Sequence, residues 1–359
     1  MATPIVRIAS VFFAALCLCV AANGQTPKMG PAQSPATNAV DADYATQQQQ
    51  RQLTQPLNNQ PVWSEVRSGS PQFTSLPGRE TNVLIQPEGQ TWRALRNSQV
   101  SVYAGWALVV MVLVIAAFYF WKGTLELHEP PTGRRIRRFT NWQMAIHWTT
   151  AYAFVTLAIT GLIIVFGKNV LLPLIGYTLF SWLAILAKNL HNFVGPLFFI
   201  CILLLFVTFV RNNFWHRYDW NWIRHFGGLV SKQDVPSGKF NAGEKLWFWG
   251  GVLVFGLIVS ASGFVLDFPN FNQTRNTMQI ANIVHLVVAS FFMLAALGHI
   301  YMGTLGMAGA YDAMSKGYVD ETWAKEHHLY WYNDIKAGKL PTAPDDAPAP
   351  SVAPRPATR

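Results

Sequence analysis

Charge and cysteine are what this sequence has least of. Only 13% of its 359 residues are Asp, Glu, Lys or Arg, against about 25% in an ordinary soluble domain. That shortage excludes a solvated, disordered chain and argues against a soluble enzyme. There are three cysteines: Cys17, Cys19 and Cys201. All three lie in apolar runs, and no disulfide framework, zinc site or iron–sulfur motif can be assembled from them. What is abundant is apolar: 51% hydrophobic and 14% aromatic residues, with 14 Trp. Several uncharged runs exceed the ~20 residues a helix needs to cross a bilayer. The fold class implied is an all-α membrane protein, a transmembrane bundle of about five spans.

The net charge is +9. In a soluble chain this would suggest nucleic acid. Here basic cytoplasmic loops account for it, and no nucleic-acid partner is expected.

The chain divides by composition. Residues 1–24 read as a signal peptide: Arg7, then the short apolar core Ile8 to Val20, then Ala22-Asn23-Gly24. An uncleaved signal anchor is the alternative. Residues 25–100 are rich in Gln, Pro, Asn and Ser and read as a largely flexible periplasmic segment. Residues 101–121 form one span. Residues 139–311 hold four more: Phe139 to Gly167, Asn189 to Val210, Leu246 to Leu266, and a helix over 279–303 within Asn276 to Tyr311. The stretch 169–187, with Pro173 and Gly176, could span, but it reads as an interfacial connection. Residues 312–359 form a cytoplasmic tail, disordered from about 341.

The basic residues orient these spans. Connection 122–138 carries five Lys/Arg, 211–245 six, and the chain after 303 six. Connection 168–188 carries two and 267–278 one. The first three are placed in the cytoplasm. The mature N-terminus is then periplasmic, the C-terminus cytoplasmic, and the setting a bacterial inner membrane.

Against this uncharged background four histidines stand inside spans: His147, His191, His285 and His299. Ionisable residues in a membrane mark function. His285 and His299 are fourteen residues apart, about 21 Å along a helix and rotated by only about 40°. One metal ion cannot bridge that distance, so each needs a partner at its own depth. Topology allows one pairing, His191 with His285 outside and His147 with His299 inside. Two bis-imidazole sites in a dry bundle suit two b-type haems. Gly195 and Gly298 offer room for a porphyrin, and Arg138 is a candidate partner for haem propionates. The other histidines, His128, His216, His225, His327 and His328, lie beside charged residues and read as solvated.

The residues also form a recognisable series. It runs through Ile146-His147-Trp148, then Asn189 to Gly195 (NLHNFVG), then Gly238 to Lys245 (GKFNAGEK). Ile283-Val284-His285, Gly298 to Met302 (GHIYM) and Trp323 to His328 (WAKEHH) complete it. The series resembles the gamma subunit of respiratory formate dehydrogenase, the cytochrome b556 membrane subunit. The resemblance covers roughly residues 134–336, with a signal peptide and one added span as in the longer form.

It implies haem ligation by His147, His191, His285 and His299, and a quinone pocket at Asn241, Gly243 and His299. Glu244 stands where short members carry Gln. Implied partners are a Mo- or W-pterin alpha subunit that oxidises formate, an iron–sulfur beta subunit, menaquinone or ubiquinone as acceptor, and further copies of the complex in a higher oligomer. No formate-oxidising residue is expected in this subunit, whose part is electron transfer in formate respiration. The nearest alternatives are the cytochrome b subunit of a nickel–iron hydrogenase or thiosulfate reductase and, from another class, a proton-coupled transporter.

Overall fold

The computed structural model describes residues 88–228, 235–271 and 273–340, with the isolated positions Thr46, Gln49, Gln50 and Ser68. The expected signal peptide, most of the segment 25–100 and the tail from 341 lie outside the described residues. The described chain forms two compact units. One holds residues up to Gly105 with Val265–Ile283, and the other holds Trp106–Phe264 and the chain from Val284 onward.

Among the described residues, four helices are long and apolar enough to cross a membrane. We label them α1 (Glu88–Lys122), α2 (Asn141–Asn212), α4 (Ala242–Asp267) and α5 (Arg275–Gly306). A short helix α3 (Arg217–Arg224) lies between α2 and α4. The start of α1 differs from the sequence expectation of Ser101. The uncharged run begins there, but the helical backbone begins at Glu88 and passes through a π-helical stretch at Leu95–Val100. Within the first unit Arg96 Nε donates to Asn282 Oδ1 at 3.0 Å. A polar flank can prolong a helix beyond its apolar stretch, so hydropathy marks the span and not the helix end.

α2 corrects the expected layout of spans two and three. Thr140 starts it with a capping box, its hydroxyl accepting from the Gln143 backbone N–H while Gln143 Oε1 accepts from the Thr140 N–H. The helix then continues through residues 169–187, broken only at Gly176 (φ 76°, ψ 171°). There the chain doubles back. Phe180 lies against Gly167, Thr160 meets His191, and Phe154 meets Phe198 at 6.1 Å between ring centres. Residues 169–187 are therefore the helical ends of two antiparallel arms rather than a separate connection. With α2 counted as two arms, five arms correspond to the five expected spans. The arm 141–175 is about 52 Å long, well beyond a ~30 Å hydrocarbon layer.

The arms of the second unit share an apolar core that includes Phe198, Ile202, Leu205, Phe248, Val252 and Phe292. A Cβ on Gly256 would stand 2.4 Å from Ile202 Cδ1, so that glycine sets how closely α4 approaches α2. At the end near Asn141 a small polar cap closes the bundle. β1 (Arg135–Arg137) pairs antiparallel with β2 (Tyr318–Asp320), Ile136 opposite Val319. Three short helices accompany them: α6 (Ala310–Ser315), α7 (Glu321–His327) and α8 (Leu329–Lys336). Asp320 Oδ1 caps α7 through the Thr322 N–H. Glu326 accepts the backbone N–H groups of His128 and Glu129. The first part of the expected tail is thus folded, because its acidic side chains are tied into the 128–134 loop.

Candidate functional site

The four span histidines meet as two pairs. The His191 and His285 rings are 6.0 Å apart between centres, at 71°. The His147 and His299 rings are 6.2 Å apart, at 57°. Thr160 touches His191, so thirteen residues of one arm, about 20 Å, separate the level of His147 from the level of His191. The fourteen residues from His285 to His299 give about 21 Å on α5. The two intervals agree, and the pairing is the one topology required.

The spacing within each pair has a chemical meaning. A metal–imidazole bond is about 2 Å and the ring centre lies roughly 1.2 Å further, so two imidazoles trans on one metal stand about 6.3 Å apart. Both pairs lie within a few tenths of an ångström of that. Among the described residues no cluster of three or more His, Cys, Asp or Glu could hold a bare ion. His191 with His285, and His147 with His299, would each hold a haem iron, which would supply one-electron redox chemistry there.

The His191/His285 pair has a defined tautomer. His285 Nδ1 lies 3.0 Å from the Val259 carbonyl and 3.2 Å from Ser262 Oγ. A carbonyl only accepts, so Nδ1 carries the proton and Nε2 presents a lone pair. Thr160 donates its own hydroxyl proton to the Thr156 carbonyl at 2.8 Å. It therefore accepts from His191 Nδ1 at 2.9 Å, which again leaves Nε2 for a metal. Each ring also lies on a glycine. A Cβ on Gly161 would be 3.4 Å from His191 Cε1, and one on Gly263 would be 3.4 Å from His285 Cε1. Thr160-Gly161 and Ser262-Gly263 are thus matched supports, a hydroxyl that orients the ring and a small residue packed against it.

The His147/His299 pair is held by aromatic packing instead. Trp247 stacks on His299 at 4.9 Å and 13°, and Trp148 meets His147 edge-on at 5.4 Å. His147 Nδ1 is buried with no hydrogen-bond partner among the described residues.

Asn241 and Gly243, expected at a quinone pocket, lie at the start of α4, four to six residues before Trp247, the residue that stacks on His299. Asn241 and Glu244 form the capping box that starts α4: Asn241 Oδ1 accepts from the Glu244 N–H at 2.9 Å, and Glu244 Oε2 accepts from the Asn241 N–H at 2.8 Å. The Asn241 carbonyl oxygen is thereby committed, and its amide Nδ2 is the group that could donate to a ligand. Gly243 is one turn before Trp247, on the same helix face, and Trp247 carries the line of contact to His299. The close approach at Gly243 is made by Trp222 of α3, 2.8 Å from where a Cβ would stand.

Other expectations change. Arg138 is buried and donates to the Lys239 carbonyl at 2.8 Å and to Glu244 at 2.9 Å. Its Nη2 is engaged by protein partners, while its Nε is buried with no hydrogen-bond partner among the described residues. A Cβ on Gly195 would meet nothing, and one on Gly298 only the Met111 methyl at 3.5 Å. His328, read as solvated, is fully buried. Its Nδ1 bonds the Gly238 carbonyl at 2.6 Å, and burial together with nearby Arg138 pushes its pKa well below the usual histidine range. Sequence reasoning missed Thr160, Gly161, Ser262, Gly263 and Trp247. The available signal was a hydroxyl residue followed by Gly in an apolar run.

Known proteins can be compared with this geometry. Residues 138–317, half of the chain, match the family described as prokaryotic cytochrome b561. The chain is 29% identical over 205 residues to the formate dehydrogenase cytochrome b556(fdo) subunit of Escherichia coli K12, covering 56% of this chain and 93% of that protein. It is 27% identical over 204 residues to the nitrate-inducible formate dehydrogenase cytochrome b556(Fdn) subunit of the same organism, covering 54% of this chain and 88% of that protein. It is 25% identical over 205 residues to the formate dehydrogenase cytochrome b556 subunit of Haemophilus influenzae, covering 54% of this chain and 81% of that protein. The paired imidazoles at about 6 Å and the match over the bundle lead to one statement: this chain belongs to the prokaryotic cytochrome b561 family, integral membrane helix bundles that hold haem b.

Proposed function

We propose that this chain is the di-haem membrane subunit of a formate dehydrogenase, carrying electrons from a periplasmic iron–sulfur subunit across the inner membrane to quinone. The observation that carries this reading is the pair of bis-imidazole sites about 20 Å apart along one bundle. Relatives named as formate dehydrogenase cytochrome b556 subunits support the choice of complex.

When bound, haem b supplies one-electron redox chemistry. The chain's own residues do the rest. His191 and His285 hold one group near the periplasmic face, with Nδ1 protons fixed by Thr160, Ser262 and Val259. His147 and His299 hold the other near the cytoplasmic face, packed by Trp148 and Trp247. The apolar arms keep water from both. Asn241, at the start of α4, offers an amide to a quinone carbonyl beside His299. The basic loops 122–138 and 211–245 support a cytoplasmic position for that end, where protons for the quinol are taken up. Net charge then crosses the membrane without a proton channel.

The test is a reduced-minus-oxidised spectrum of the purified complex, with His285→Ala and His299→Ala beside the parent. The parent should show two haems b and each variant one. His299→Ala should also abolish quinone reduction. If it keeps both haems and full activity, the assignment is wrong.

A further inference from the structure

A buried ion pair lies beside the first turn of α4, and the electron-transfer reading leaves it unused. Lys245 Nζ donates to Asp219 Oδ2 at 2.7 Å, and the two side chains are 1% and 0% exposed. Asp219 stands three residues before Trp222 on α3, hence on the same face. Trp222 covers Gly243, so the pair adjoins the turn that holds Asn241 and Gly243. Asp219 Oδ2 also accepts the His216 backbone N–H at 2.7 Å. Asp219 Oδ1 is buried without a hydrogen-bond partner among the described residues. The His216 ring lies at the surface, its Nδ1 3.4 Å from Lys245 Nζ.

A plain structural pin between α3 and α4 would need neither the vacant carboxylate oxygen nor the exposed imidazole against the ammonium. Burying two ions is costly unless they serve a purpose or are fully bonded. A proton donor needs these parts: a buried N–H acid, a counter-ion to balance it after transfer, and a contact with water.

We propose that Lys245, balanced by Asp219 and recharged through His216, is the proton donor for quinone reduction. This rests on the reading of Asn241 and Gly243 as the quinone site. Quinone takes two electrons from the reduced cytochrome and two protons. For each proton, an Nζ–H bond breaks and an O–H bond forms on a quinone oxygen. That leaves a neutral Lys245 amine beside the Asp219 carboxylate. The amine regains a proton from His216 Nδ1 while Nε2 takes one from the cytoplasm; the exposed imidazole then loses the Nε2 proton to water and takes one at Nδ1, which restores its starting tautomer. The cycle then repeats for the second oxygen.

The groups facing this pair are few. Tyr218 lies under Lys245 Nζ, 5.2 Å from its ring centre, and burial with the Asp219 charge pushes its phenol up to about 12. It stays neutral at working pH. Tyr330 of α8 packs on Tyr218 at 4.8 Å. Glu244 and Arg138 are paired with each other at 2.9 Å.

The experiment uses the whole complex in proteoliposomes with a short-chain quinone. Lys245→Met is compared with the double variant Lys245→Met/Asp219→Asn, which leaves no unpaired buried ion. Quinone reduction should fall about 10²-fold in both, acquire a dependence on bulk pH and show a larger solvent deuterium effect. Haem content, haem reduction by the upstream donor and the Kd of a tight quinone-site inhibitor should not change. His216→Gln should slow the reaction without abolishing it. A double variant with the parent rate and pH profile overturns the proposal, and so does one that loses haem or inhibitor binding, since the pair is then a scaffold. Asn241→Leu separates the two levels. If it abolishes inhibitor binding while the double variant is silent, the quinone site stands and the donor role falls. If Asn241→Leu leaves inhibitor binding and quinone reduction intact, the quinone reading falls and takes this proposal with it.

Discussion

Thr160 Oγ1 accepts a hydrogen bond from His191 Nδ1 at 2.9 Å because its own proton is committed to the Thr156 carbonyl. The contact fixes which imidazole nitrogen faces the haem site. Thr160→Val keeps the shape and removes the acceptor. Loss of such an outer contact weakens a metal site by about 10- to 100-fold. We expect the outer haem to dissociate more readily from Thr160→Val than from the parent, read as haem retained after dilution in detergent. Ser262→Ala should be milder, since His285 Nδ1 keeps the Val259 carbonyl at 3.0 Å. Equal retention in all three proteins would refute this account of the support.

Gly161 makes a steric counterpart. A Cβ there would stand 3.4 Å from His191 Cε1, which is ordinary contact. Gly161→Ala should therefore keep both haems. Gly161→Leu puts branched carbons where the ring lies, and overpacking of this kind costs about 1–3 kcal/mol. Relief comes most easily by displacing the imidazole. The expected spectrum of Gly161→Leu shows one haem, with the inner site retained.

The four span histidines and their pairing are legible in the sequence, and the reason is physical. An ionisable side chain in a hydrocarbon layer is expensive, so His147, His191, His285 and His299 stood out, and helix rise alone set the depth at which each needed a partner. The orienting contacts were not legible. Thr and Ser commonly bond their own helix carbonyls in apolar runs, and only the fold shows that Thr160 and Ser262 also face an imidazole. Residues 169–187 misled for a related reason. Pro173 and Gly176 read as a break in the helix, but the chain yields at Gly176 alone and stays helical on both sides. His328 misled because its charged sequence neighbours suggested water, whereas Trp323 and Trp331 enclose it.

Gly176 turns the α2 hairpin with φ 76° and ψ 171°. That region is essentially closed to residues with a Cβ, at about 1–3 kcal/mol. A Cβ there would meet nothing within 4 Å, so the cost is in the backbone alone. Gly176→Ala should lower the temperature at which the complex loses its Soret band. Gly250→Ala is the control. It also meets nothing within 4 Å but stands in helical backbone, where Ala gains about 0.5–1 kcal/mol over Gly. The two substitutions should move stability in opposite directions, and a parallel shift would remove the case for Gly176 as an obligatory turn.

Lys239 gives a pH signature. Burial, reinforced by the Arg138 guanidinium, lowers its pKa from 10.5 to about 8. Between those two values the unfolded chain binds more protons than the folded one, so stability rises with pH across that window. Below about pH 8 the folded state carries the full cost of a charged, part-buried ammonium. Lys239→Met keeps most of the apolar stem over the Phe139 ring, where Nζ now sits 5.4 Å from the ring centre, and removes the charge. The variant should be more stable than the parent at pH 7, with the difference shrinking above about pH 8 and gone near 10.5. Thermal denaturation of variant and parent side by side from about pH 7 to about pH 10, which brackets the shifted value, reads this directly. A variant less stable than its parent at pH 7 would mean that the cation–π contact outweighs the desolvation of Lys239.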